Sequence, residues 1–72
     1  MKASVVIEKD EVGYYAFCPG MKGCHTQGES LDEVMVNIKE AMELYAETLS
    51  SEEREYLLSK EILTTALEVN VA

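Results

Sequence analysis

Cys18, Cys24 and His25 are the residues of this 72-residue chain best suited to nucleophilic or metal chemistry. A zinc site takes two pairs of soft ligands, each pair a few residues apart. The pattern here is Cys-x5-Cys-His with no further cysteine or histidine to complete a set. Cys24 and His25 are also adjacent, and neighbours on a strand point to opposite faces. Cys18 and His25 could meet across neighbouring strands as a nucleophile and base, but no orienting third group or oxyanion hole is recognisable. Gly20 and Gly23 precede a strand rather than a helix, so they do not make a phosphate-binding loop. The residues therefore predict small buried thiols and a surface or pocket-edge histidine. No catalytic residue, metal site or cofactor is expected; a hydrolase using His25 as general base is the less favoured reading.

Tyr14, Tyr15 and Phe17 offer a different chemistry. Aromatic platforms stack nucleic-acid bases when basic residues flank them, and these lack such neighbours. The better reading places one or two of them in the core and the rest at a protein interface, where aromatic side chains are enriched.

The elements that must position these residues follow from patterning. Ala3 to Lys9 alternates Ala3, Val5 and Ile7 with Ser4, Val6 and Glu8, which predicts a strand. Asp10 to Gly13 supplies a hairpin turn, with Gly13 free to take a positive φ. Tyr14 to Cys18 resumes a strand that Pro19 ends, and Cys24 to Gly28 reads as a short third strand. Ser30 and Glu33 have the spacing of a capping box. From there Leu31, Val34, Met35, Ile38, Ala41, Met42, Tyr45 and Leu49 follow the helical period. Ser50 and Glu53 begin a second, shorter helical segment running to Ile62. Leu67, Val69 and Val71 alternate with Glu68 and Asn70 and predict a last strand at the sheet edge. The expected fold class is α+β, in the order β-β-β-α-(α)-β, with the helix packed on one face of a small antiparallel-rich sheet.

Length fits a single domain over residues 1–72, with no separate DNA-binding domain. A domain this small buries only about 60% of the surface its unfolded chain exposes. With 47% hydrophobic residues, some of the apolar surface is expected against another subunit, as a homodimer or homotetramer. The net charge is −8, from 14 acids and 6 bases, which argues against direct contact with nucleic acid. Residues Glu29 to Glu55 hold nine acids against Lys39 and Arg54, a local balance of −7. Such a surface attracts a basic partner. No signal peptide or membrane span is recognisable, so a cytoplasmic protein with reduced thiols is expected.

Five fragments occur in a particular order: V-x-I-E from Val5, D-E-x-G-Y from Asp10, C-P-x-x-x-G-C from Cys18, T-Q-G-E-S-L-D-E-V from Thr26 and E-A-x-E-L-Y from Glu40. Together they resemble the N-terminal domain of HicB-type antitoxins over about 60% of the chain, as in stand-alone short members of that HicB-like family. The resemblance implies a β-β-β-α-β domain similar to a truncated RNase H fold. It also implies a binding role: an antitoxin that covers a small basic mRNA-cleaving toxin of the HicA type. The acidic helix residues Glu33, Glu40, Glu43 and Glu47, with Tyr14, Tyr15 and Phe17, are the expected partner-binding residues. The alternative is an orphan domain of the same type that binds a small ligand or unrelated protein, with no toxin partner.

Overall fold

A computed structural model of the protein describes residues 2–71. Three strands come first: β1 (Val6–Lys9), β2 (Tyr14–Phe17) and β3 (His25–Gly28). They form one antiparallel sheet in the order β1-β2-β3. Each strand thus pairs with its neighbour in sequence. Two helices follow, α1 (Leu31–Glu47) and α2 (Ser51–Ser59). The class is α+β as the sequence predicts, with the element order β-β-β-α-α. The likeness to an RNase H fold is only a loose one.

The β1–β2 turn is built by Asp10. The Val12 and Gly13 amides donate to its Oδ1 at 2.8 and 3.0 Å, and the Asp10 amide donates to the Gly13 carbonyl at 3.0 Å. The turn centre is therefore Glu11 and Val12. Gly13, expected to supply a positive φ there, has a φ of +159° and stands just before β2. It is needed for space: a Cβ on Gly13 would lie 2.9 Å from the Gly28 carbonyl oxygen.

Ladder parity follows from two bonds outside the strands. Asp10 bonds Gly13, and the Cys18 amide donates to the Cys24 carbonyl at 3.0 Å. Hydrogen-bonded and non-bonded pairs alternate along an antiparallel ladder. In the observed register, Val6–Phe17 and Glu8–Tyr15 are then bonded pairs, as are Ala16–Thr26 and Tyr14–Gly28. The backbone groups of Ile7 and Lys9 face away from β2, as do those of His25 and Gln27.

Helix α1 lies over β3 and β2. Its start is capped by Ser30, whose hydroxyl accepts from the Glu33 amide at 3.1 Å. The returning glutamate bond of a full capping box is seen only at α2, where the Ser50 amide donates to the Glu53 carboxylate. Val34 and Ile38 are buried against Ala16, Cys18, Met21 and Cys24, which form the core. Ala3, Val5, Ile7 and Tyr14 pack at its margin. Asn37 fixes the helix crosswise: its side-chain amide donates to the outward Gln27 carbonyl at 3.0 Å.

The helical segment expected through Ile62 ends at Ser59, and the predicted last strand is not formed. Residues 60–71 run without turn, bend or ladder. Leu67, Val69 and Val71 are 75–90% exposed. Their alternation is that of a strand, but a strand exists only when its backbone groups find an edge. This segment reaches none within its own chain.

Candidate functional site

Alternation along β2 separates the three aromatic residues. Tyr14 shares the helix-covered face with buried Ala16 and is half-buried at the core margin. Tyr15 and Phe17 point to the opposite face. There they stack at 5.9 Å between ring centroids, and His25 lies 5.8 Å from Tyr15 across the ladder. Tyr15, Phe17 and His25 thus form a small aromatic cluster on the sheet face that α1 leaves open.

The four glutamates divide as well. Glu40, Glu43 and Glu47 lie about 140–200° around α1 from the buried Ile38, so they stand on its solvent side. Glu33, in the first turn, faces the hairpin end of the sheet. An open groove of about 740 Å³ lies there, and Tyr14, Tyr15 and Glu33 line it together with Glu8, Asp10 and Glu29. The seven expected residues therefore occupy three places. Three line the groove, Phe17 belongs to the open sheet face, and three crown the helix.

Glu8, Asp10 and Glu29 were not among the residues expected from sequence. Their convergence depends on the Tyr14–Gly28 pairing, which lays the end of β3 beside the β1–β2 turn. Gly13 makes that approach possible, because a Cβ there would lie 2.9 Å from the Gly28 carbonyl oxygen, and Gly28 in turn admits the start of α1. Each of the three sits in a sequence motif, Glu8 in V-x-I-E, Asp10 in D-E-x-G-Y and Glu29 in T-Q-G-E-S-L-D-E-V, but no motif alone shows that they meet.

Four carboxylates and one cation, Lys9, whose Nζ lies 5.6 Å from the Tyr14 ring centroid, give the groove its charge. The bonds from the Val12 and Gly13 amides hold the Asp10 carboxyl below its ordinary pKa. That carboxylate stays ionised in mildly acidic solution. The arrangement suits lysine or arginine side chains, which pair with carboxylates through charge-assisted hydrogen bonds.

The cysteines and histidine do not converge. Cys18 and Cys24 are buried free thiols on the helix side, and His25 is exposed on the other. Burial, with Cys18 beside it, pushes the Cys24 thiol above its ordinary pKa, away from the thiolate a nucleophile requires. Among the described residues, no three His, Cys, Asp or Glu side chains are grouped to hold a metal ion. Nor is any described helix long and apolar enough to cross a membrane.

Fold and groove together define a small acidic α+β protein with a carboxylate-lined, tyrosine-backed recess. Comparison with known proteins gives the family. The sequence model of the HicB-like antitoxins of bacterial toxin–antitoxin systems matches residues 3–70, and the chain belongs to that family. A UPF0150 protein of Helicobacter pylori is 46% identical over 72 residues, the full length of both chains. One from Archaeoglobus fulgidus is 60% identical over 48 residues, covering 65% of this chain and 70% of the relative. A Synechocystis relative is 52% identical over 50 residues, 68% of this chain and 63% of its own. No solved structure matches. Family membership gives the chain an antitoxin-type role, with a toxin as partner in general terms.

Proposed function

We propose that the chain neutralises a small, basic, mRNA-cleaving toxin of the HicA type by covering its surface, acting as a single binding domain. The observation that carries this is the hairpin-end groove of an antitoxin-family chain. There Glu8, Asp10, Glu29 and Glu33 line one groove with Tyr14 and Tyr15, and only Lys9 offsets their charge. Long basic side chains can lay their stems on the tyrosine rings and their charged ends on the carboxylates. The outer-face glutamates Glu40, Glu43 and Glu47 extend the negative field and speed encounter rather than tightening the docked complex.

The test is co-expression with a HicA-type toxin encoded in the same genome, followed by binding kinetics on the purified pair. The chain is expected to restore growth and to form a complex whose association rate falls with ionic strength. Glu8→Lys combined with Glu33→Lys should weaken binding about tenfold or more, since like charges in an interface repel strongly. Glu33 serves the helix cap through its amide, so the cap survives this change. Persistent growth arrest with the native chain, or an unaltered affinity in the double variant, would reject the assignment.

A further inference from the structure

We infer that residues 63–71 form a fourth strand in a second copy of this chain, added to the outer edge of β1, so that two copies exchange their C-terminal arms. Four observations converge on that site.

The first is the arm. Odd positions Leu63, Leu67, Val69 and Val71 share one side of an extended segment and are 75–90% exposed, while Thr64, Glu68 and Asn70 lie on the other side. At about 3.3 Å per residue these nine residues reach about 30 Å. The Cα radius of gyration is 14.3 Å and the long axis 47 Å, whereas a compact chain of this length has a radius of about 11 Å. The arm projects.

The second is the edge. Ladder parity directs the backbone groups of Ile7 and Lys9 outward from β1, with no strand beyond them among the described residues. The opposite edge is partly closed, because Asn37 occupies the outward Gln27 carbonyl.

The third is the incompletely covered β1 flank. Helix α1 sits over β3 and β2 and leaves Val5 and Ile7 of the β1 flank half-buried. Asn37 marks the β3 side of α1. Met35 and Met42 lie about 140–160° around the helix from it and so face the β1 side, where Met35 is half exposed. Val5, Ile7 and Met42 stay only partly buried and Met35 half exposed, apolar surface that the arm's odd-numbered side chains would cover.

The fourth argues for exchange rather than folding back. The arm's root is held at the β2–β3 loop, where Leu57 and Ile62 lie against Gly20. From that root the arm runs without a turn, and residues 60–71 contain neither glycine nor proline to make one. A straight arm reaches a neighbour. Two arms and two edges close by a two-fold axis, leaving neither unpaired. The exchange also removes an exposed edge that would otherwise invite open-ended pairing.

Light scattering on the full chain should give twice the 8.0 kDa chain mass. Isotope-filtered nuclear Overhauser spectra on a mixture of 15N-labelled and 13C-labelled chains should show contacts between the Ile7 amide and the 67–71 side chains of the other label. Leu67→Asp with Val69→Asp should raise the dimer dissociation constant at least tenfold. A monomeric native chain, contacts confined to one label, or a double variant that dimerises as before would each overturn the inference. Should the double variant fail to fold, the filtered contacts in the native chain decide alone.

Discussion

Replacing Gly28 with alanine places a methyl group 2.7 Å from the Val34 nitrogen, 3.0 Å from its Cα and 3.1 Å from its Cβ. The first two of these atoms belong to the α1 backbone, which no rotamer change can move aside. Either the helix start lifts off β3 or the end of β3 bends away, and both loosen Val34, one of the fully buried side chains. Inserting a methyl group into such a contact costs about 1–3 kcal/mol. Gly28 does not require a positive φ, so alanine also restricts the unfolded chain, an offset of about 0.4–1 kcal/mol. The net expectation is a loss of about 1–2 kcal/mol, which for a domain of this size lowers the melting temperature by roughly 5–15 °C. Gly20→Ala is the matched control. Its nearest neighbour is the Leu57 Cδ1 at 3.0 Å, the end of a flexible side chain, and its expected change is within about 0.5 kcal/mol. Urea unfolding followed by circular dichroism measures both. Equal midpoints for the two variants would refute the claim that Gly28 exists to admit α1.

Asp10 and the thiols give two further expectations. The folded-state pKa of Asp10 is depressed by its amide bonds. Its contribution is therefore present above the ordinary carboxyl range and is lost as pH falls through the lower folded value. Asp10→Asn should flatten that part of the stability–pH curve; an unchanged acid limb would contradict the turn geometry. Cys18 and Cys24 should react with a thiol reagent far more slowly in the folded protein than in urea, since both are buried and the Cys24 thiol is raised. Equal rates in the two states would show that the core opens readily.

What could be read from the chain alone was what local chemistry decides. The Ser30 cap, the α1 periodicity, the Asp10 turn and the opposite facing of Cys24 and His25 all depend on residues within a turn or two of each other. The groove was not legible. It requires Gly28 to pair with Tyr14, and that register is set by the whole hairpin stack. The expectation that one or two of the three aromatic residues lie in the core is met by Tyr14, at the core margin. Leu67, Val69 and Val71 carry a strand's pattern without being one here, because pattern specifies which side is apolar and not which edge is at hand.

The meander order β1-β2-β3, with α1 laid on the strand just before it, keeps nearly all native pairings between sequence neighbours. Chains with such local contacts close small loops first and fold fast. The sheet and its covering helix can therefore assemble without the help of residues 60–71. Residues 60–71 emerge into solution beside a finished domain, so what they pair with is settled after folding, by encounter.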